Sequence, residues 1–210
     1  SRDLALPAGL SESEVVAAVS VLAAKNRSVD TLACFAGGGA YDHYVPAVVR
    51  HLAYRAEFAT SYTPYQPELS QGVLGALFEF QSMVCELTGM DVANASLYDG
   101  ASALVEAVNL ATAATGRTQV VLSAGVHPNY RQVLATMGAG PGWELATAPL
   151  HDGVTAVPAP EALAGAACLV VAYPNGGGAI EDGPKLAAAA HAAEAMLIVS
   201  FDPTAAGIRE

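Results

Sequence analysis

Basic residues are scarce in this chain. Nine Lys and Arg stand against twenty Asp and Glu, for a net charge of −11. That balance argues against nucleic acid and anionic membranes as main partners, because both are held by clustered cations. Only Lys25 and Lys185 are lysines, so candidates for covalent amine chemistry are few. Cysteine is sparse too. Cys34, Cys85 and Cys168 are odd in number and widely spaced, with no Cys-x-x-Cys to suggest zinc. Cys85 and Cys168 lie in apolar patterns and are expected to be buried free thiols, which fits a reducing cytoplasm. No apolar run reaches the roughly 18 residues of a membrane span. Ser1-Arg2-Asp3 lacks the basic-then-apolar order of a secretory leader.

Several site motifs are missing as well. A dinucleotide site needs strand, G-x-G-x-x-G and helix in that order. Gly138-Ala139-Gly140-Pro141-Gly142 falls between a helix and a strand, and Gly176-Gly177-Gly178 has the wrong spacing. There is no G-x-x-x-x-G-K-[ST], and Ser102 lacks the second glycine of G-x-S-x-G. Asp42, His43 and His51 are close in sequence, but the two histidines are not at i, i+4, so metal ligation is not expected.

What is present is apolar and periodic. Hydrophobic residues make up 53% of 210 residues, enough for one large domain with a sizeable core. Ser11-Glu12-Ser13-Glu14 is a capping box that opens a helix to about Lys25. Residues 30–44, with Gly37-Gly38-Gly39, are expected to be mostly loop. Pro46 opens a helix through about Phe58. The segment from Tyr62 to Gly72 is stiffened by Pro64 and Pro67 and crowded with polar and aromatic groups. Such a loop either connects elements or lines a site. A helix over 71–88 follows, stopped by Gly89.

Strands and helices then alternate: strand 92–97, helix 100–115, strand 119–123, helix 128–137, strand 143–147, helix 160–164, strand 168–173, helix 184–195 and strand 196–201. Val120-Val121-Leu122, Cys168-Leu169-Val170-Val171-Ala172 and Met196-Leu197-Ile198-Val199 are apolar on both faces. This predicts an α/β fold with a mostly parallel sheet covered by helices on both sides. The expected organisation is residues 1–72, helices with the polar-aromatic loop, and 73–210, an α/β domain incomplete at its C terminus.

Three features at expected C-terminal strand ends fit pyridoxal phosphate chemistry. The helix start at Asp99–Ser102 is an anion-type position, with Ser102 a candidate phosphate donor. His127, followed by Pro128, offers a ring to stack on a flat cofactor, or a helix cap. Asp202 offers a carboxylate for a pyridine nitrogen, or an ordinary Asp-Pro turn. Two observations oppose a working site. Neither lysine follows a strand near Asp202, and Asp99 would cap the helix itself and repel a phosphate dianion.

Thr63-Pro64-Tyr65-Gln66-Pro67-Glu68-Leu69-Ser70-Gln71-Gly72 carries a resemblance. So do Ala23-Ala24-Lys25-Asn26, the helix from Phe80-Gln81 to Leu87-Thr88-Gly89, Ala93–Ala103 and His127-Pro128-Asn129-Tyr130. Over most of its length the sequence resembles glycine decarboxylase, the P-protein of the glycine cleavage system, in particular subunit 1 of the two-subunit form. The resemblance implies a type I pyridoxal-phosphate-dependent transferase-like fold and a chain that is a fragment or truncated form. It implies decarboxylation of glycine, with the aminomethyl group passed to the lipoyl arm of the H-protein. It places the cofactor lysine on subunit 2 and makes this half a degenerate copy. Ser102, His127 and Asp202 are then degenerate cofactor positions. Thr63, Tyr65 and Gln66 are candidates to face the partner's site. Rival readings are an autonomous type I enzyme with its lysine beyond residue 210, a noncatalytic scaffold, and an unrelated small-molecule-binding α/β domain.

Overall fold

The computed structural model describes residues 5–35 and 43–208. Most of the expected glycine-rich stretch, and Asp42, lie outside them. The chain divides into two units, Ser1–His43 and Tyr44–Glu210.

The first unit carries helix α1, Glu12–Ala23. It starts on the expected capping box, with Ser11 and Glu14 serving each other's backbone N–H. The Glu14 carboxylate accepts both the Ser11 N–H, at 2.8 Å, and the Ser11 hydroxyl, at 2.6 Å. The hydroxyl hydrogen bond to the acid adds to the box. Val15, Val16, Val19 and Leu22 are exposed.

The second unit opens with α2, Ala47–Ala53, and α3, Ala56–Ala59. A single helix was expected here. The chain breaks because Arg55 is extended, with φ −64° and ψ 143°, and its guanidinium pairs with Glu57. No proline or glycine announces the break. The long helix α4, Gln71–Thr88, ends on left-handed Gly89 as expected.

The expected strand over 92–97 does not form. Asn94 Oδ1 accepts the Ser96 N–H at 3.0 Å, and Ser96 has φ 97°. The side chain takes a donor that a ladder would need, and the positive φ turns the chain out of the extended region.

From Gly100 onward the alternation is as read. The elements are α5 Gly100–Thr115, β1 Gln119–Ser123, α6 Pro128–Gly138 and β2 Glu144–Ala148, then α7 Pro160–Leu163, β5 Ala166–Tyr173, α8 Gly183–Ala192 and β6 Met196–Phe201. Between β2 and α7 lies a small hairpin, β3 Leu150–His151 and β4 Val154–Thr155. It was not anticipated, although Asp152-Gly153 is a strong hairpin dipeptide. Both residues adopt positive φ, 51° and 82°, as a two-residue type I′ turn requires. A 3₁₀ helix, Pro203–Ile208, follows β6 and touches α4.

The main sheet has the order β2-β1-β5-β6, with every pairing parallel. Its two faces are both buried along the central strands β1 and β5, which explains their unbroken apolar runs, whereas the edge strand β6, expected to be covered as well, leaves Met196 and Val199 exposed. Val120, Leu122, Cys168, Val170 and Ala172 pack on one side with Leu104, Val105 and Val108 of α5 and Leu134 of α6. Val121, Leu169 and Val171 pack on the other with Leu163 of α7 and Leu186 and Ala190 of α8. Cys168 is buried, and desolvation pushes its thiol up to about 12. Cys85 is only half-buried, contrary to expectation, because no residue of α4 is buried.

Arg117, just before β1, ties the other end of the sheet together. Its guanidinium donates to the carbonyls of Ala166, Ala193 and Glu194 at 3.1, 3.3 and 3.0 Å, and pairs with the Glu194 carboxylate at 3.2 Å. Three carbonyls around the start of β5 and the end of α8 thus share one cation. The left-handed Glu194, φ 55°, closes that helix three residues earlier than the periodicity suggests.

Candidate functional site

The sheet order places a topological switch between β1 and β5. From β1 the chain crosses through α6 to β2 on one side. From β5 it crosses through α8 to β6 on the other. A crevice forms at such a switch, outside the carboxyl ends of the strands. Ser123 to His127 leave β1 there, Pro174 and Asn175 leave β5, and Asp202 leaves β6.

The structure brings two of the expected residues to this edge. His127 and Asp202 follow β1 and β6, the two neighbours of β5. Ordinary strand spacing sets those strand ends roughly 10 Å apart. The third position, Ser102, lies in the first turn of α5. That helix feeds straight into β1, so its N terminus lies beside the carboxyl end of that strand.

Each group is engaged locally. The His127 Nδ1 accepts the Asn129 N–H at 3.2 Å, capping α6. Its ring lies 5.6 Å from that of Tyr130, tilted by 53°. Asp202 Oδ1 accepts the N–H and hydroxyl of Thr204 at 3.0 and 2.8 Å, forming the turn into the 3₁₀ helix. The Ser102 N–H donates to Asp99 Oδ1 at 2.7 Å, as the sequence suggested.

That hydrogen bond holds the Asp99 carboxyl below its ordinary value of 3.8, with the Ser102 N–H the main cause. The folded state therefore favours the ionised form. Its stabilising contribution is present above pH 3.8 and is lost as pH falls through the lower folded-state value. Thermal unfolding of wild type and Asp99→Asn between pH 2 and 5 is expected to show a steeper acid loss in the wild type.

Two buried groups at this edge carry no marker in the sequence. Asn175 and Glu181 belong to a network beneath the crevice. The Glu181 carboxylate accepts the Thr155 N–H and hydroxyl, both at 2.8 Å, and the Asn175 amide at 2.9 Å. Thr155 and Ser123 hydroxyls meet at 2.6 Å, and Ser123 Oγ accepts the Gly125 N–H at 2.9 Å. Asn175 also donates to the Gly153 carbonyl at 2.8 Å, and its Oδ1 accepts the N–H groups of Gly177 and Ala179. The amide thus uses both donors and both lone pairs on the protein. Asn175 braces the hairpin and the 176–182 loop against β1, and has no capacity left for a ligand.

The Thr63, Tyr65 and Gln66 side chains lie exposed on the stiff loop, Tyr65 at 83%. Short-range backbone bonds from Tyr65 N–H to Thr63 O and from Leu69 N–H to Gln66 O shape it.

A phosphorylated cofactor fits poorly here. At the crevice edge the N termini of α5, α6 and α8 are each capped by the chain's own side chain: Asp99, His127 and Asp182. Two of the three caps are carboxylates, so the position usually open to an anion is already negative. Lys185, at the start of α8, is unsuited to a Schiff base. It lies in the first turn of a helix rather than after a strand, and its exposed ammonium pairs with Asp182 at 2.7 Å.

Among known proteins, residues 1–209 match the model of the family described as glycine cleavage system P-protein. The chain is 50% identical to the "Probable glycine dehydrogenase (decarboxylating) subunit 1" of Desulforamulus reducens, over 99% of this chain and 47% of that protein. It is 50% identical to the protein of the same name from Exiguobacterium sibiricum, over 96% of this chain and 45% of that one. The chain therefore spans about half the length of these relatives. A crystal structure of glycine decarboxylase (P-protein) of the glycine cleavage system, in inhibitor-bound form, superposes with a TM-score of 0.90 at 46% identity. The match covers all of this chain and 47% of that one. A sphingosine-1-phosphate lyase from Burkholderia pseudomallei shares the fold alone, with a TM-score of 0.61 at 18% identity, over 95% of this chain and 49% of that one. The fold is the expected type I pyridoxal-phosphate-dependent transferase-like fold. With residues 1–209 spanned by the family model and the fold superposing over the whole chain, this chain belongs to the glycine cleavage system P-protein family.

Proposed function

We propose that this chain acts as subunit 1 of a cytoplasmic glycine dehydrogenase of the glycine cleavage system. The assembled enzyme decarboxylates glycine and passes the aminomethyl group to the lipoyl arm of the H-protein. Pyridoxal phosphate and its lysine reside on subunit 2. Half-length identity to proteins named subunit 1 supports the assignment. The observation that carries the division of labour is the state of the lysines. Lys185 is paired with Asp182, and Lys25 follows α1 in the other unit. The helix N termini at the crevice are closed by their own caps.

The part this chain contributes is the Tyr62–Gly72 loop. Its prolines hold it stiff, and it offers Thr63, Tyr65 and Gln66 outward to the partner's site. A hydroxyl, a phenol and an amide suit a polar substrate or the lipoyl arm. Pre-organisation matters because an ordered loop has less freedom to lose when it engages.

In the enzyme reconstituted with subunit 2, Tyr65→Phe and Gln66→Ala are each expected to slow glycine decarboxylation by about tenfold or more, equal to at least about 1.4 kcal/mol of lost transition-state stabilisation. The assembly itself should stay intact on size exclusion. Unchanged turnover in both variants would leave the chain a scaffold. Absorbance spectra of the two subunits purified separately with pyridoxal phosphate test the cofactor assignment: the bound-cofactor band is expected on subunit 2 alone.

A further inference from the structure

We propose that the anion position at the start of α5 is filled from within, by the Asp99 carboxylate and the Tyr130 hydroxyl together, and that these two groups are what exclude a phosphate monoester. The inference stands on the geometry of this chain and does not depend on the Tyr62–Gly72 loop.

Three observations carry it. The Asp99 carboxylate takes the Ser102 N–H at 2.7 Å, one of the donors an anion would use. The Tyr130 side chain lies over Gly100, the first residue of the helix. A Cβ built there would sit 2.2 Å from the hydroxyl and 2.9 Å from the ring carbon that bears it. Only a glycine leaves room for that approach. The ring is not free to swing away, because it packs against the α5–α6 side of the core and beside His127. A carboxylate therefore supplies the negative charge, and a wedged phenol supplies the volume.

Removing one group alone leaves the other obstacle. Asp99→Ser keeps a short cap but removes the charge. Tyr130→Phe removes the hydroxyl and keeps the ring packed. The test uses the full chain with inorganic phosphate as probe, followed by ³¹P line broadening and by calorimetry, with chloride at matched ionic strength as control. Wild type is expected to show no saturable binding at millimolar phosphate. Asp99→Ser/Tyr130→Phe is expected to bind at least about tenfold more tightly and to gain thermal stability with phosphate but not with chloride. Asp99→Asn/Tyr130→Phe keeps the cap's size and acceptor, so it carries the test should the first double variant fail to fold. Saturable phosphate binding by the wild type would overturn the proposal. So would a folded double variant, by circular dichroism, that gains none.

Discussion

Replacing Glu181 with alanine is expected to lower the unfolding free energy by about 3–5 kcal/mol, measured by urea unfolding. Glu181 is 1% exposed, and its two oxygens accept three hydrogen bonds from Thr155 and Asn175. Truncation strands the Thr155 N–H and one Asn175 donor in a region closed to water. Each buried donor left without an acceptor costs about 1–3 kcal/mol. Cavity formation adds to that. The loss is a large share of an ordinary domain's stability. Glu181→Gln should fall in between. Its carbonyl can serve one side, but its amide then faces either the Thr155 N–H or the Asn175 amide, donor against donor. A near-neutral Glu181→Ala would mean that the network does not brace this end of the sheet.

Leu169→Ala is expected to cost about 2–5 kcal/mol by the same measurement. Leu169 lies in the middle of β5, fully buried, between the strand neighbours Val121 and Leu197. Its side chain fills the face covered by α7 and α8, and a sheet pinned on both sides has little freedom to collapse into the space. Phe78→Ala in α4 offers the contrast. Phe78 is larger but 72% exposed, so the isolated chain should change by no more than about 0.5 kcal/mol. If α4 meets another chain, the same substitution should weaken assembly with subunit 2, read by analytical ultracentrifugation. Equal losses for Leu169→Ala and Phe78→Ala in the isolated chain would contradict the described packing.

β1, β5 and the helices from Gly100 onward were legible because burial on two faces leaves apolar runs, and burial on one leaves a 3.6-residue period. Local chemistry was legible as well: Asp99 as a cap and Gly89 as a stop both depend on neighbours within a few positions. The strand expected over 92–97 failed because Asn94 folds its side chain onto the backbone two residues on, a local competitor that a hydropathy pattern does not register. The helix expected from Pro46 to Phe58 failed for lack of any marker at Arg55.

What remained hidden is the set of contacts between distant positions. Ser123 and Thr155 are 32 residues apart, and Thr155 and Glu181 are 26 apart. Nothing in the local sequence separates Glu181 from an exposed acid, and nothing near Tyr130 says that its hydroxyl rests on Gly100. Periodicity and capping are properties of one segment and are written within it. A buried polar network and a wedged tyrosine exist only once the parallel sheet has set the ends of β1, β5 and β6 side by side, because that juxtaposition removes the water their polar groups would otherwise use.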